Sequence, residues 1–372
     1  MGEKNLIVGV FSPAINECGG AEWVAINIVA ALKEHGHQVI VLSDEPLNQK
    51  KFTDVFGRKI SVDQQMVFPL RFFSSRDNKN IYTNAIKCLA LKSKCEVLVD
   101  TFSNAIIPGM DASYFQGFPL LKRLKKQPYL RNKIFFSPYQ AFLNFSRDNI
   151  KNKLLFANSK FSADAIRAEL DVEPHILYPS VSNYILNSND VDLENQRKNN
   201  VVTVARINEE KNLHIIPHIA ELTSKEVSFT IVGLLDSEKT LNLLLRLIKD
   251  LNLSERVNIL TNVRREQLKR ILLSSRVFLH TSIDEPFGIS IVEAMASGCI
   301  PIVHNSGGPK EFVPLNQRFN NVDEAANMVS RAIDGWSPVQ AKKFSKTAEK
   351  FGEDNFSKQF IDIFNSHFSK GN

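Results

Sequence analysis

The sequence predicts an α/β protein built as two doubly wound parallel-sheet domains. Three observations carry that expectation. Short apolar runs alternate with segments of helical period along nearly the whole chain, the pattern of parallel strands joined by crossover helices. A polar, charged stretch, Asn183–Asn200, interrupts the alternation, which then begins afresh. The length, 372 residues, suits two domains of ordinary size. The expected boundaries are 1–183 for an N-terminal domain, 184–199 for a linker and 200–345 for a C-terminal domain. Residues 346–372 are expected to form a helix that crosses back to the first domain.

In order, Leu6–Phe11 is an apolar run that reads as the first strand. A loop ending in Gly19-Gly20 follows, then a helix over Ala21–His35 that Gly36 stops, then a strand at Val39–Leu42. Paired glycines at a helix start let a backbone approach a phosphate closely, although the dinucleotide fingerprint G-x-G-x-x-G is absent. The alternation continues through helix Ile81–Lys92 and strands Val97–Asp100, Ser113–Phe115 and Leu154–Ala157. Helix Ser162–Leu170 and a last strand at His175–Tyr178 complete this half. The linker contains Asp190-Val191-Asp192, an acidic triplet read as a chance match to a metal-binding motif.

The second half opens with strand Val201–Ala205, helix Leu213–Leu222 and strand Phe229–Val232. Helix Leu241–Leu251, strand Val257–Leu260, helix Glu266–Ser274 and strand Val277–His280 follow. The most informative stretch comes next, Ser282 to Gly298. It turns through Pro286 and Gly288 into an apolar helix, and Gly298 ends that helix. Ser290, Glu293 and Ser297 share one helical face. A carboxylate on an otherwise buried helix needs a partner, so that face is expected to border a polar site. The first-turn N–H groups around Phe287, Gly288 and Ile289 suit an anion. Strand Ile300–Val303 and the loop Asn305-Ser-Gly-Gly-Pro309 follow. In doubly wound sheets ligands bind beyond the carboxyl ends of the strands. Arg206, Lys211, Glu285 and Gly19-Gly20 all fall on that edge. The bland alternatives are a solvated Glu285, a Glu293 that caps its helix or joins an ion pair, and surface pairs of Arg206 or Lys211 with Glu209 or Glu210.

Hydrophobic residues make up 43% of the chain and the formal net charge is +6. No run approaches the ~18–20 apolar residues of a membrane span. The four cysteines show no metal-ligand or redox spacing, as expected for free thiols in a reducing cytoplasm. The basic residues form no nucleic-acid recognition motif, and no nucleic-acid partner is expected. Leu121–Lys133 carries Lys122, Arg123, Lys125, Lys126, Arg131 and Lys133 without an acid, and aromatic residues follow from Phe135 to Phe145. That combination suits an anionic membrane surface. Phe356, Phe360, Phe364 and Phe368 step by four, an apolar helical stripe.

Together these residues resemble the retaining glycosyltransferases of family GT4, which have the GT-B fold of two Rossmann-like domains facing each other across a cleft. Glu285 and Glu293 match the family's pair of carboxylates separated by seven residues. Arg206 and Lys211 match its Arg-x4-Lys, Gly19–Glu22 its Gly-Gly-Ala-Glu, and Asn158-Ser159-Lys160 its Asn-Ser helix opening. Asn305–Lys310 and Val97–Thr101 are similar to segments of mannosyltransferases that extend dolichol-linked oligosaccharides. The resemblance implies a nucleotide diphosphate sugar donor and a glycan or polyprenyl-linked acceptor. It implies no metal and no other cofactor. Arg206 and Lys211 would hold the leaving diphosphate, Glu285 a sugar hydroxyl and Glu293 the ribose. Gly19 and Gly20 would close over the phosphates. Members often carry a histidine on the acceptor side; here Gln116 stands in the corresponding stretch. The enzyme would be cytoplasmic and peripheral to a membrane. An epimerase or phosphorylase of the same fold, or a non-catalytic nucleotide-sugar-binding subunit, is the alternative.

Overall fold

The structure is a computed structural model. It describes residues 5–74, 77–125, 130–186 and 197–368. The acidic triplet Asp190–Asp192 and Lys126 lie outside the described residues. The chain divides into two compact units, Met1–Ser180 with Glu353–Asn372, and Val181–Gly352.

The N-terminal unit is built on a seven-stranded sheet. Its strands are β1 (Ile7–Phe11), β2 (Gln38–Ser43), β3 (Gln64–Val67), β4 (Val97–Asp100), β5 (Ala112–Phe115), β6 (Leu154–Ala157) and β7 (His175–Ile176). They run parallel in the order β3-β2-β1-β4-β5-β6-β7. β1, β4, β5 and β6 are almost wholly buried, which is why they read as continuous apolar runs and not as alternating ones. β3 escapes sequence reading because its residues, Gln64 to Val67, are polar or half-exposed at the sheet edge.

The C-terminal unit repeats the plan with six parallel strands. These are β8 (Lys198–Val204), β9 (Ser228–Gly233), β10 (Val257–Thr261), β11 (Ser275–His280), β12 (Ile300–His304) and β13 (Arg318–Phe319). Their order is β10-β9-β8-β11-β12-β13. In each sheet the chain winds one way from its first strand and then the other. The reversals lie between β1 and β4 and between β8 and β11. Such a switch point leaves a crevice at the carboxyl ends of the two strands.

The expected linker is shorter than its composition suggests. β8 begins at Lys198, and Arg197 and Asn200 are buried. The Asn200 side chain donates to Ser275 Oγ at 2.8 Å and accepts from Ser228 and Thr230. Arg197 donates to the carbonyls of Leu272, Ser275 and Ser297. These polar residues are satisfied only by groups far away in sequence, so locally they read as linker. Residues 346–352 likewise belong to the C-terminal unit, and the tail helix begins at Glu353.

That helix, Glu353–Phe368, packs within the N-terminal unit. Its ring stripe meets Tyr114 through Phe356 at 6.4 Å, Phe156 through Phe360 at 5.5 Å and His37 through Phe364 at 5.6 Å. Arg58 and Glu353 close its first turn with a 2.6 Å ion pair.

Candidate functional site

The site is built at the β8–β11 switch point of the C-terminal unit. β11 ends at His280, and the chain then crosses Thr281–Phe287 before the helix Ile289–Ala296. Gly288 caps that helix at φ +93°, a left-handed conformation open to glycine. The loop after β12 presses onto the same turn. Gly308 N–H donates to Glu285 O at 2.9 Å, and Ser306 Oγ accepts from Asp284 N at 2.7 Å. A Cβ on Gly307 would stand 2.3 Å from Glu285 O, and one on Gly308 2.0 Å from Pro286 O. The Gly-Gly pair is therefore required by the backbone it touches. Phe287 anchors the turn by packing on Phe312 and Phe351.

Glu285 is mostly buried, its side chain 13% exposed. Its Oε2 accepts from Lys211 Nζ at 2.7 Å and from His280 Nε2 at 3.2 Å. Burial alone would push this carboxyl up. The Lys211 charge and hydrogen bonds from His280 and Lys211 override it, holding the group well below the usual carboxylate range. The solvated reading of Glu285 is thus incorrect. Lys211 reaches it from the loop after β8, tied down by Thr281 Oγ1, which donates to Lys211 O at 2.7 Å.

Glu293 is 8% exposed and accepts from Arg265 Nη2 at 2.7 Å. The bland alternative, an ion pair, is the one realised here. Arg265 opens the helix Arg265–Ser274 after β10, so it too comes from the carboxyl edge. Ser297 shares the face as expected but donates to Glu293 O. Arg206 lies past β8, with its guanidinium 3.6 Å from Asp236 and one third exposed. It does not pair with Glu209, which meets Lys239 instead. The structure thus brings together Lys211 and Glu285, and places Arg206 and Glu293 on the same sheet edge with partners of their own. Sequence reading missed His280, Asp236 and Arg265. The rule that flagged Arg206 would have flagged each, since each ends or follows a strand.

In the N-terminal unit the expected residues gather at the β1–β4 switch point. Gly19 N–H is occupied by Glu22 Oε2 at 2.8 Å, so in this conformation it is not offered to an anion. Gly20 starts the helix Gly20–Glu34. Gln116, after β5, is half-buried, with its amide nitrogen 3.4 Å from Ala21 O and 3.5 Å from Thr101 O. Asn158 Nδ2 donates to Gln116 O at 2.8 Å, and Ser159 Oγ caps its helix by accepting from Ser162 N.

Two parallel sheets of seven and six strands, each reversing at a central switch point with its polar groups on the carboxyl edge, make the GT-B fold. Residues 187–351 match the family model described as Glycosyl transferases group 1. Over 61% of its length the chain is 28% identical to the GDP-Man:Man(3)GlcNAc(2)-PP-Dol alpha-1,2-mannosyltransferase of Dictyostelium discoideum. It spans 49% of that protein, about half its length. It is 22% identical to the alpha-1,3/1,6-mannosyltransferase ALG2 of Candida glabrata, covering 97% of this chain and 90% of that one. The solved structure of Anabaena Alr3699/HepE in complex with UDP and glucose superposes with a TM-score of 0.71 at 17% identity. That match covers 97% of this chain and all of the other.

Proposed function

We propose that this chain transfers a hexosyl group, mannose or glucose, from a nucleoside diphosphate sugar to a glycan or polyprenyl-linked acceptor, with retention of anomeric configuration. The observation that carries the reading is the meeting of Lys211 with Glu285 at the switch point, with Arg206 on the same sheet edge. A departing diphosphate needs cations held ready at the position where charge develops. Arg206 and Lys211 supply two. Each carboxylate of the pair is engaged by its cation through one oxygen, Oε2 in Glu285 and Oε1 in Glu293. The other oxygen of Glu285 is then suited to a sugar hydroxyl, and that of Glu293 to the ribose. The N–H groups at Gly288 and Ile289 add backbone donors; Gly20, and Gly19 once Glu22 releases its N–H, serve the donor phosphates, and Gln116 serves the acceptor. The two cations fill the role of a divalent ion, so no metal and no other cofactor is required, and turnover persists in EDTA.

The names of the mannosyltransferase relatives favour GDP-mannose over UDP- and ADP-sugars. A thermal-shift panel of GDP-, UDP- and ADP-sugars decides between them, because a ligand that binds only the folded form raises its stability. Release of nucleoside diphosphate only when an acceptor is added then establishes transfer. A chain that no nucleotide sugar stabilises would not be this enzyme. Glu293→Gln is expected to raise the donor KM about tenfold, the weakening of one hydrogen bond to a charged group.

The same reading places the enzyme on the cytoplasmic face of an anionic membrane. Among the described residues no helix is long and apolar enough to cross one. The helix Leu130–Phe145 instead turns an apolar stripe outward. Leu130 is 73% exposed, Ile134 67% and Phe145 91%, with Pro138 and Ala141 on the same face. Arg131 and Lys133 flank the stripe, and Lys122 stands on the preceding helix. An exposed apolar stripe edged by cations suits lipid tails beneath anionic headgroups. Ile134→Glu with Phe145→Glu should abolish cosedimentation with phosphatidylserine vesicles; unchanged binding would remove the membrane from the proposal.

A further inference from the structure

Lys211 is asked to serve two anions, Glu285 in the free chain and, on the reading above, the diphosphate in the complex. We infer that His280 is the positioning residue that keeps Glu285 in place when the donor draws on Lys211.

The argument begins with the ring itself. His280 ends β11, is 3% exposed and stacks on Phe278 with centroids 6.3 Å apart and planes at 14°. A side chain so enclosed does not swing away. Its Nε2 lies 3.2 Å from Glu285 Oε2. A carboxylate oxygen only accepts, so Nε2 carries the proton and donates. Nδ1 is buried and meets no hydrogen-bond partner among the described residues. Among those residues the carboxylate is thus the sole polar contact of this imidazole, which places it there on Glu285's account.

Lys211 differs in kind. Its backbone is fixed to the end of β11 through Thr281 and Asn212. Its ammonium, on a flexible four-carbon stem, can turn from one anion to another. Lys211 and His280 share the same carboxylate oxygen. If the lysine turns to a diphosphate, the histidine still holds that oxygen, and the opposite oxygen keeps its direction. A buried carboxylate deprived of both donors would be costly and would reorient. The predicted consequence is selective: His280 matters for the sugar that Glu285 grips and not for the nucleotide diphosphate that the cations grip.

Calorimetry on the full chain tests this with GDP, GDP-mannose, UDP and UDP-glucose as probes, comparing His280→Asn and His280→Phe. Asparagine keeps an N–H donor, and phenylalanine keeps the ring without one. For the base that binds, the nucleoside diphosphate Kd should stay within about twofold in both variants. The nucleotide-sugar Kd should weaken about tenfold or more in His280→Phe, as expected for one lost hydrogen bond to a charged group. His280→Asn should recover most of that loss, and kcat should follow the same order. Equal loss of both ligands in His280→Phe, or an asparagine variant no better than phenylalanine, would mean a purely structural role and overturn the inference. Parental affinity of His280→Phe for the nucleotide sugar would overturn it as well. If the parent chain itself bound none of the four, the proposed function would fail first and this inference with it.

Discussion

At the scale of single residues, the Lys211–Glu285 pair bears on stability and carries the proposed chemistry. Its side chains are 19% and 13% exposed, so solvent screens it little. Lys211→Met should destabilise the C-terminal unit by about 3 kcal/mol, the low end for a broken buried pair. Lys211→Met with Glu285→Leu should recover much of that, because no charge is then stranded. Urea unfolding of the single and double variants measures the coupling. The pH dependence has a definite sign. The folded carboxyl lies below its ordinary value of 4.5, so its contribution is present above about that pH and is lost as pH falls through the folded value. In Lys211→Met the opposing effect of burial is less compensated, and the folded group binds its proton more readily. The stability deficit against the parent should therefore narrow as pH drops from 7 toward 4.5, visible in melting curves. The sequence marked Glu285 and Lys211 separately. It held no sign that they touch, because 74 positions and the strands β9, β10 and β11 separate them.

At the scale of elements, the turn before the helix Ile289–Ala296 is shaped by the loop after β12. Gly57, at φ +75°, has open space where a Cβ would stand, with nothing within 4 Å. Gly57→Ala should then cost only the left-handed strain of about 1–2 kcal/mol. Gly308→Ala should cost more, since a Cβ 2.0 Å from Pro286 O forces backbone to move beside Glu285. Denaturation midpoints of the two variants should rank in that order, with donor binding lost only for Gly308. Arg197 makes the same point with a side chain. Its guanidinium reaches the carbonyls that close two helices, around Leu272 and Ser297. Cations are favoured at helix carboxyl ends. Its polar neighbours made it look like linker, and only the folded sheet shows it as an interior strut.

At the scale of the molecule, the tail helix is part of the N-terminal unit's core. Phe360 is fully buried between Phe156, Phe356 and Phe364. Phe360→Ala should cost about 3–5 kcal/mol and lower the melting of the N-terminal unit. If the two units unfold separately, the transition belonging to Val181–Gly352 should stay where it is, and calorimetric scanning reads both. The fourfold spacing of the rings announced a helix with one apolar face. Which unit receives that face is decided by Tyr114, Phe156 and His37, all far earlier in the chain.

The sequence by itself determined the two doubly wound sheets, the strand-end location of Arg206, Lys211 and Glu285, and the place of Glu293 on the helix that follows. Buried parallel strands must be apolar runs, and loops at their carboxyl ends are free to carry polar groups. Tertiary structure alone decided the partners: His280 and Lys211 on one oxygen of Glu285, Arg265 on Glu293, Asp236 near Arg206, and Arg197 inside the fold. Periodicity is a property of neighbours along the chain. Charge pairing depends on distances across the sheet, which exist only once the strands have taken their order.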